Sequence, residues 1–352
     1  MTFQNVTETY QQESPPHAPA NKPVYDLDPP VNLTDPEVFS RHGGYTHEAF
    51  AQMREKAPVM WHPEEAAAGF WAVTPYELVK QVELDPATFS SQRGGILMTY
   101  GLPDQPRHPL LHSSSLNSLI NLDRPYHTPL RMEHMHFFRP GFVAELRKRV
   151  DAYVTELLDT MEKQGPVVDM VEMFSAELPL FTLCEILGVP PADRPKLVHW
   201  MHFLETSQYQ AQQEGLGNVT PEQMMAFMQE IQNMFEFGRH LLAERRKEPK
   251  EDLLSAIANV EIDGKPLSPE FLDGSWLLIV FAGNDTTRNS LSGTMRLLTE
   301  FPDQKAKLQA NEDLFPNFVH EAIRMVSPVT YMRRTTTTDT ELGGQPIAEG
   351  EK

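Results

Sequence analysis

Trp276 to Phe281 reads W-L-L-I-V-F, and a helical spacing of apolar residues resumes at Leu291, Met295, Leu297 and Leu298. Between these stretches stands Ala282-Gly283-Asn284-Asp285-Thr286-Thr287, made largely of mediocre or poor helix formers. A glycine inside a helix costs roughly 0.5–1 kcal/mol relative to alanine. A buried aspartate costs more unless it is paired. The pattern therefore predicts a long helix, opened by Ser268-Pro269-Glu270 and interrupted near Gly283. The interruption sets a carboxylic acid beside a hydroxyl at a point of close backbone approach. A proton relay to a small bound molecule requires that arrangement.

Helical spacing also predicts helices near His47–Lys56, Phe142–Lys163, Met170–Leu187, Ala192–Gln212, Pro221–Lys247 and Phe315–Met325. Thr74-Pro75-Tyr76-Glu77 reads as a helix start with Thr74 as N-cap and proline at the first helical position. Pro58–Trp61 and Gly69–Val73 read as a strand hairpin, and Thr335–Ile347 as short strands around Gly343-Gly344. Asp263-Gly264 marks a turn. Gly94 to Asn121 has no periodicity and is expected to be a long loop. The start of the chain is polar and proline-rich, so residues 1–28 are expected to form an extended segment ahead of a domain over 29–352. The class is mainly α with a minor β-sheet region.

Composition narrows the partners. The formal net charge is −19, which argues against nucleic acid and against anionic membranes. Cys184 is the single cysteine, so an intramolecular disulfide is excluded and a reducing compartment fits. No apolar run approaches a membrane span, and the N-terminus lacks the pattern of a signal peptide. The expected location is the cytoplasm.

Several groups carry candidate chemistry, and each also has a plainer reading. Glu321 and Arg324 stand at i and i+3 and can pair on one helix face. Arg333-Arg334 follow Ser327-Pro328 and could lock that glutamate or bind an anion bidentately. Asp123-Arg124-Pro125-Tyr126-His127 resembles a helix start. His127 and Arg131 then share a face, provided the helix begins close enough to His127 to tolerate Pro129. Asp285-Thr286 can also be read as a threonine bonding back one turn and bending its helix. His134 and His136 diverge on a helix, Pro109 and the loop composition deny one to His108 and His112, and His199 with His202 lacks a third ligand of suitable spacing. No glycine-rich phosphate loop and no G-x-S-x-G sequence is present.

Taken in order, the anchors say more than any one of them. His127 and Arg131 follow Asp123 and Pro125; Ala282 to Thr287 occupies a long helix; Glu321-Ala322-Ile323-Arg324 comes next, then Pro328-Val329 and Arg334. This ordered set resembles the cytochrome P450 superfamily, the haem-thiolate monooxygenases, in its soluble bacterial form, from about Asp26 onward. Gly283 to Ser290 (G-N-D-T-T-R-N-S), Tyr331 to Arg334 (Y-M-R-R), Glu341 to Gly344, Asp26–Pro30 and Phe70 to Val73 look like the branches that oxidise alkyl chains, terpenes and steroid side chains.

The resemblance implies a role for each matching position. His127, Arg131 and Arg334 would bind the propionates of haem b, Ala282 and Gly283 would line the oxygen-binding groove, and Asp285 and Thr286 would deliver protons. Glu321 and Arg324 would form a structural pair. Gly94–Leu119 and Leu197–Phe237 would shape a pocket for a hydrophobic small molecule. Electrons would come from NAD(P)H through a separate ferredoxin and ferredoxin reductase. The family's iron ligand is a cysteine in the pattern F-x-x-G-x-x-x-C-x-G, which does not occur before Lys352. Cys184, in Leu183-Cys184-Glu185-Ile186-Leu187, lacks those glycines and is expected to be packing. The expectation is thus a P450-like fold incomplete at its C-terminus, without the cysteine-ligand loop and final helix, and with no metal ligand within this chain. A non-catalytic relative that binds an apolar ligand or haem without turnover, and a histidine-metal hydrolase, are the rival readings.

Overall fold

The structure is a computed structural model, and it describes residues 25, 27–28, 30–35, 45–64, 67–96, 109–214, 220–262 and 264–352. In chain order the elements are α1 (Tyr45–Lys56), β1 (Val59–Glu64), β2 (Ala67–Val73), α2 (Tyr76–Leu84), β3 (Phe89–Ser90), α3 (Pro109–Leu116), α4 (His127–His134), α5 (Pro140–Gln164), α6 (Glu177–Leu187), α7 (Arg194–Glu214) and α8 (Pro221–Lys247). There follow α9 (Leu253–Asn259), β4 (Glu261–Ile262), β5 (Lys265–Pro266), α10 (Pro269–Ala282), α11 (Asp285–Glu300), α12 (Pro302–Ala310), α13 (Phe315–Val326), β6 (Thr335–Thr336), β7 (Thr340–Leu342) and β8 (Gln345–Ile347). The chain is mainly helical with small two-stranded sheets, as its periodicity predicts. Among the described residues no helix is long and apolar enough to cross a membrane.

The chain divides into two compact units. Among the described residues the first comprises those of 117–119 and 128–331, and the second those of 25–116, 120–127 and 332–352. The second is organised around the antiparallel β1–β2 ribbon, with Val59 opposite Val73 and Trp61 opposite Trp71. Both faces of this ribbon are covered where Val59–Trp61 pairs with Trp71–Val73, and there the sequence is continuously apolar instead of alternating. Met60, Phe70 and Ala72 pack with Leu27, Met53 and Ala57. Val59 and Trp71 pack with Phe89, Leu342 and Ile347. Trp71 N–H donates to the Lys352 carbonyl at 2.7 Å, and its indole Nε1 donates to Glu351 Oε2 at 2.8 Å. Strands β7 and β8 join through Gly343 and Gly344, both at positive φ (58° and 80°), the tight-turn backbone that this glycine pair supplies. Tyr25 and Leu27, inside the segment expected to be extended, pack onto this core; residues 1–24 lie outside the described residues.

The first unit is helical. Helix α8 begins with a capping box in which Thr220 Oγ1 accepts from Gln223 N–H and the Gln223 side chain returns the bond. It buries Ile231, Met234, Phe235, Leu241 and Leu242 at helical spacing. At Gly238 a Cβ would stand 2.6 Å from the Trp276 ring, so the missing side chain is what lets α10 lie there; Trp276 Nε1 donates to Met234 O at 3.1 Å. Asp273 of α10 takes a two-pronged bond from Arg239 of α8, at 2.9 and 2.5 Å. Helix α13 packs on α11 where Gly293 meets Val326. Its Phe315, Val319 and Ile323, spaced four apart, are exposed.

A buried clamp fixes three of these helices. Helix α6 ends at Gly188, which sits at φ +72° and whose carbonyl accepts from Arg245 Nη2 at 2.6 Å. Arg245 Nε donates to Asp252 Oδ2 at 2.7 Å, with both side chains almost fully buried. Asp252 Oδ1 caps α9 by accepting from Ser255 N–H at 2.8 Å. Any Cβ at Gly188 would fall 2.2 Å from the Asp252 carboxylate, so glycine is required for both the backbone turn and the close approach.

Two local expectations are corrected. Thr74 does not cap α2: the helix starts at Tyr76 with Pro75 at the N-cap, because Leu78 and Val79 both donate to the Pro75 carbonyl, at 3.1 and 2.9 Å. The stretch Gly94–Asn121 is not wholly loop, since Pro109 initiates α3, whose Ser114, Ser115 and Leu116 are buried. Proline suits a first helical position, where its missing N–H has no intrahelical acceptor. Residues 97–108 of that stretch lie outside the described residues.

Asp252→Ala is expected to destabilise the protein by about 3–5 kcal/mol, because it leaves the buried Arg245 guanidinium without its carboxylate and α9 without its cap. Urea denaturation of the variant against wild type measures the loss.

Candidate functional site

The helix break falls where the apolar pattern puts it. Helix α10 ends at Ala282 and α11 begins at Asp285, with Gly283 and Asn284 as the connection. Gly283 N–H donates to Ile279 O at 3.2 Å and Arg288 N–H to Asn284 O at 3.0 Å, so helical bonding continues on either side. A Cβ on Gly283 would come 2.7 Å from Leu183 Cδ1 and 2.9 Å from the Ile279 carbonyl oxygen. The close approach expected at this glycine is therefore made by Leu183 of α6.

The three polar residues at the break are engaged differently. Asp285, on the first turn of α11, accepts from Arg288 Nη2 at 2.5 Å, and its side chain is 42 % exposed. An anion in a first turn is favoured by the unpaired N–H groups there. Thr286 Oγ1 points back to Ala282 O at 3.5 Å, the outer limit of a hydrogen bond. Asn284 is buried, and its Oδ1 meets no donor among the described residues. Arg288 was not singled out from the sequence, although its i+3 spacing from Asp285 is the detectable signal.

Helix α4 begins at His127, so Pro129 falls harmlessly in its first turn. His127 N–H donates to Asp123 O at 2.9 Å. The Asp123 carboxylate accepts from the Ser90 hydroxyl, from Ser91 N–H at 3.0 Å and from Gln92 N–H at 3.3 Å. His127 is half-buried and Arg131 is exposed. Arg334 Nη2 donates to Glu83 Oε2 at 2.7 Å and Nη1 to the Arg333 carbonyl at 2.8 Å, with only 14 % of the Arg334 side chain exposed. Glu83 lies 251 residues away in sequence, a partnership no local pattern announces. Arg333 donates to the Gly94 and Gly95 carbonyls and through its backbone N–H to Ile96 O at 2.7 Å. Glu321 is held by its own helix neighbour: Arg324 donates to both of its oxygens at 2.7 Å. This pair is exposed, and the Arg324 hydrogen bonds keep the Glu321 carboxyl below the usual carboxylate range.

Among the described residues no cluster of three histidine, cysteine or acidic side chains is arranged to hold a metal ion. His199 Nε2 lies 3.1 Å from Glu230. His134 is half-buried, its Nε2 meets no partner among the described residues, and burial pushes its imidazole down to about 4. His108 lies outside the described residues. Cys184 is fully buried in α6, and burial pushes its thiol up to about 11.

Known proteins bear on this arrangement. The family model for cytochrome P450 matches residues 39–352. The chain belongs to the cytochrome P450 family. It is 32 % identical to linalool 8-monooxygenase of Pseudomonas putida, over 91 % of this chain and 77 % of that protein. It is 31 % identical to a methyl-branched lipid omega-hydroxylase of Mycobacterium bovis, over 86 % of this chain and 69 % of that protein. A Mycobacterium marinum cytochrome P450 solved in complex with pseudoionone superposes with a TM-score of 0.80 at 31 % identity, covering 95 % of this chain and 78 % of that one. The chain is thus that of a P450 monooxygenase, an oxidoreductase whose cofactor is haem b and whose electrons originate in NAD(P)H.

Haem b presents two propionates and takes an axial ligand from the protein. Arg334 already grips a carboxylate from a largely buried position, and a propionate offers the same two oxygens. Cys184 does not fit the axial role. Its side chain is wholly buried in the apolar α6 beside Leu183 and Leu187, where it acts as packing.

The half-buried His134 makes stability depend on pH. Its imidazole titrates at 6.5 when unfolded and at about 4 when folded. Above pH 6.5 neither state binds the proton and stability is unaffected. As pH falls from 6.5 towards 4 the unfolded chain gains the proton first, and up to about 3 kcal/mol is lost. Denaturation midpoints across this range should fall in wild type and fall less in His134→Phe.

Proposed function

We propose that this P450 inserts one oxygen atom from dioxygen into a C–H bond of a hydrophobic substrate of the alkyl-chain, terpene or steroid side-chain class. The observation that carries the reading is the acid–hydroxyl pair at the break between the apolar α10 and α11. Two relatives named for linalool and for a methyl-branched lipid support the substrate class. Haem, when bound, supplies the oxygen activation, and the protein supplies position, protons and exclusion of water.

In this reading the Asp285 carboxyl, open to solvent on one side, takes up protons. Thr286 Oγ1, loosely held by Ala282 O, turns to pass them towards the oxygen-binding groove. Ala282 and Gly283 line that groove through their backbone, with Leu183 filling the space beyond Gly283. His127, Arg131 and Arg334 bind the propionates, Arg334 exchanging Glu83 for one of them. Glu321 and Arg324 serve as the structural pair. Helices α7 and α8, rich in Met, Phe and Leu, contribute to an apolar substrate pocket. A ferredoxin and its reductase deliver the electrons.

Thr286→Ala in the haem-loaded enzyme is expected to divert reductant from product to peroxide, while Thr286→Ser stays close to wild type. The ratio of product to NAD(P)H consumed measures it, and full coupling in the alanine variant would sink the relay. Glu321→Ala is expected to lower haem incorporation several-fold, read from the haem-to-protein absorbance ratio of the purified enzyme. An unchanged ratio removes Glu321 and Arg324 from the haem-supporting structure.

A further inference from the structure

A serine or threonine inside a helix can bond back to the carbonyl one turn earlier. On both sides of the helix break this bond has its ordinary length. Ser275 donates to Phe271 O at 2.9 Å, Ser290 to Thr286 O at 2.8 Å and Thr294 to Ser290 O at 2.6 Å. Thr286 spans the break itself, and its Oγ1 stands 3.5 Å from Ala282 O. The stretch coincides with irregular backbone between the two residues. Gly283 has φ −78° and ψ −16°, and Asn284 has φ −113° and ψ −56°, against about −63° and −42° in a regular helix.

Leu183 of α6 meets this turn at its barest point. The side chain is buried, and its Cδ1 and Cδ2 lie 2.7 and 2.9 Å from where a Cβ on Gly283 would stand. Both methyls are therefore packed on the Gly283 backbone itself. Leu183 shares the buried face of α6 with Pro179, Cys184 and Leu187. Five residues later the same helix is pinned by the bond from Arg245 to the Gly188 carbonyl, at 2.6 Å. A leucine so held does not retreat from the break, because close-packed interiors transmit strain instead of absorbing it.

We propose that Leu183 is a positioning residue for the oxygen chemistry: it holds the α10–α11 turn open, so that Thr286 keeps only a stretched bond to Ala282 O and its hydroxyl can take another partner. This role rests on the relay reading above. Leu183 acts through Gly283 and contributes no chemistry of its own. With its side chain cut back, the turn relaxes towards regular helix and Thr286 closes an ordinary bond onto Ala282 O, which ties the hydroxyl down.

A crystal structure of haem-loaded Leu183→Ala is expected to place Thr286 Oγ1 about 2.6–3.0 Å from Ala282 O. An unmoved hydroxyl overturns the proposal. The same variant is expected to give several-fold less product per NAD(P)H and more peroxide, at the haem content of wild type. Leu183→Met keeps the volume and should recover at least half of the lost coupling. Gly283→Ala in the Leu183→Ala background returns a methyl to the gap and should also raise coupling above that of Leu183→Ala alone. Two losses that simply add show no communication between the positions and overturn the proposal. Full coupling in Leu183→Ala alongside an uncoupled Thr286→Ala removes Leu183 from the relay and leaves the relay standing. Full coupling in Thr286→Ala defeats the relay reading and the role built on it. If Leu183→Ala does not fold, Leu183→Val, a smaller cut, is put through the same measurements and decides.

Discussion

The first unit depends on a charge that has been taken out of water. The Arg245 guanidinium is almost wholly buried, and it is tolerable there because Asp252 neutralises it and the Gly188 carbonyl takes a further N–H. That requirement fixes the end of α6, the last turns of α8 and the start of α9 against each other. With the end of α6 fixed, Leu183, five residues before Gly188, is held against Gly283. The helix break is therefore anchored from its flank, by apolar packing that a buried ion pair keeps in register.

This ordering explains why the break tolerates residues that weaken helices. A glycine, an asparagine and two threonines would loosen an isolated helix. Here the flanking segments are held by Trp276 over Gly238, by the Asp273–Arg239 pair and by the Gly293–Val326 contact. Local propensity is spent on polar chemistry only where tertiary packing can spare it.

Much of the fold was legible because its signals are local. The apolar spacing located nearly every long helix within a few residues, Pro221 marked the start of α8, and Gly343-Gly344 marked the β7–β8 turn. Proline was the source of both local errors. Pro75 was placed inside α2 when it precedes it, and Pro109 was read as a loop residue when it opens α3. The residue types of the site were also legible, since Asp285 and Thr286 announce themselves by interrupting an apolar run. Their engagements were not. The pairing of Arg334 with Glu83 and the packing of Leu183 on Gly283 join segments far apart in sequence. The Arg288–Asp285 pair, by contrast, follows the local i, i+3 rule.

The second unit closes its core with residues from opposite ends of the chain. Trp71 is bonded to Glu351, 280 positions later, and the Val59–Trp71 face of the ribbon is covered by Leu342 and Ile347. On a ribosome, that face must wait until almost all of this sequence has emerged. The helices between residues 128 and 331 can assemble in the meantime, since their partners lie within that span. Synthesis therefore imposes an order on folding: the helices can assemble before that face of the ribbon is covered, and an apolar strand surface stays uncovered, open to chaperones or to association, until residues 342–351 emerge.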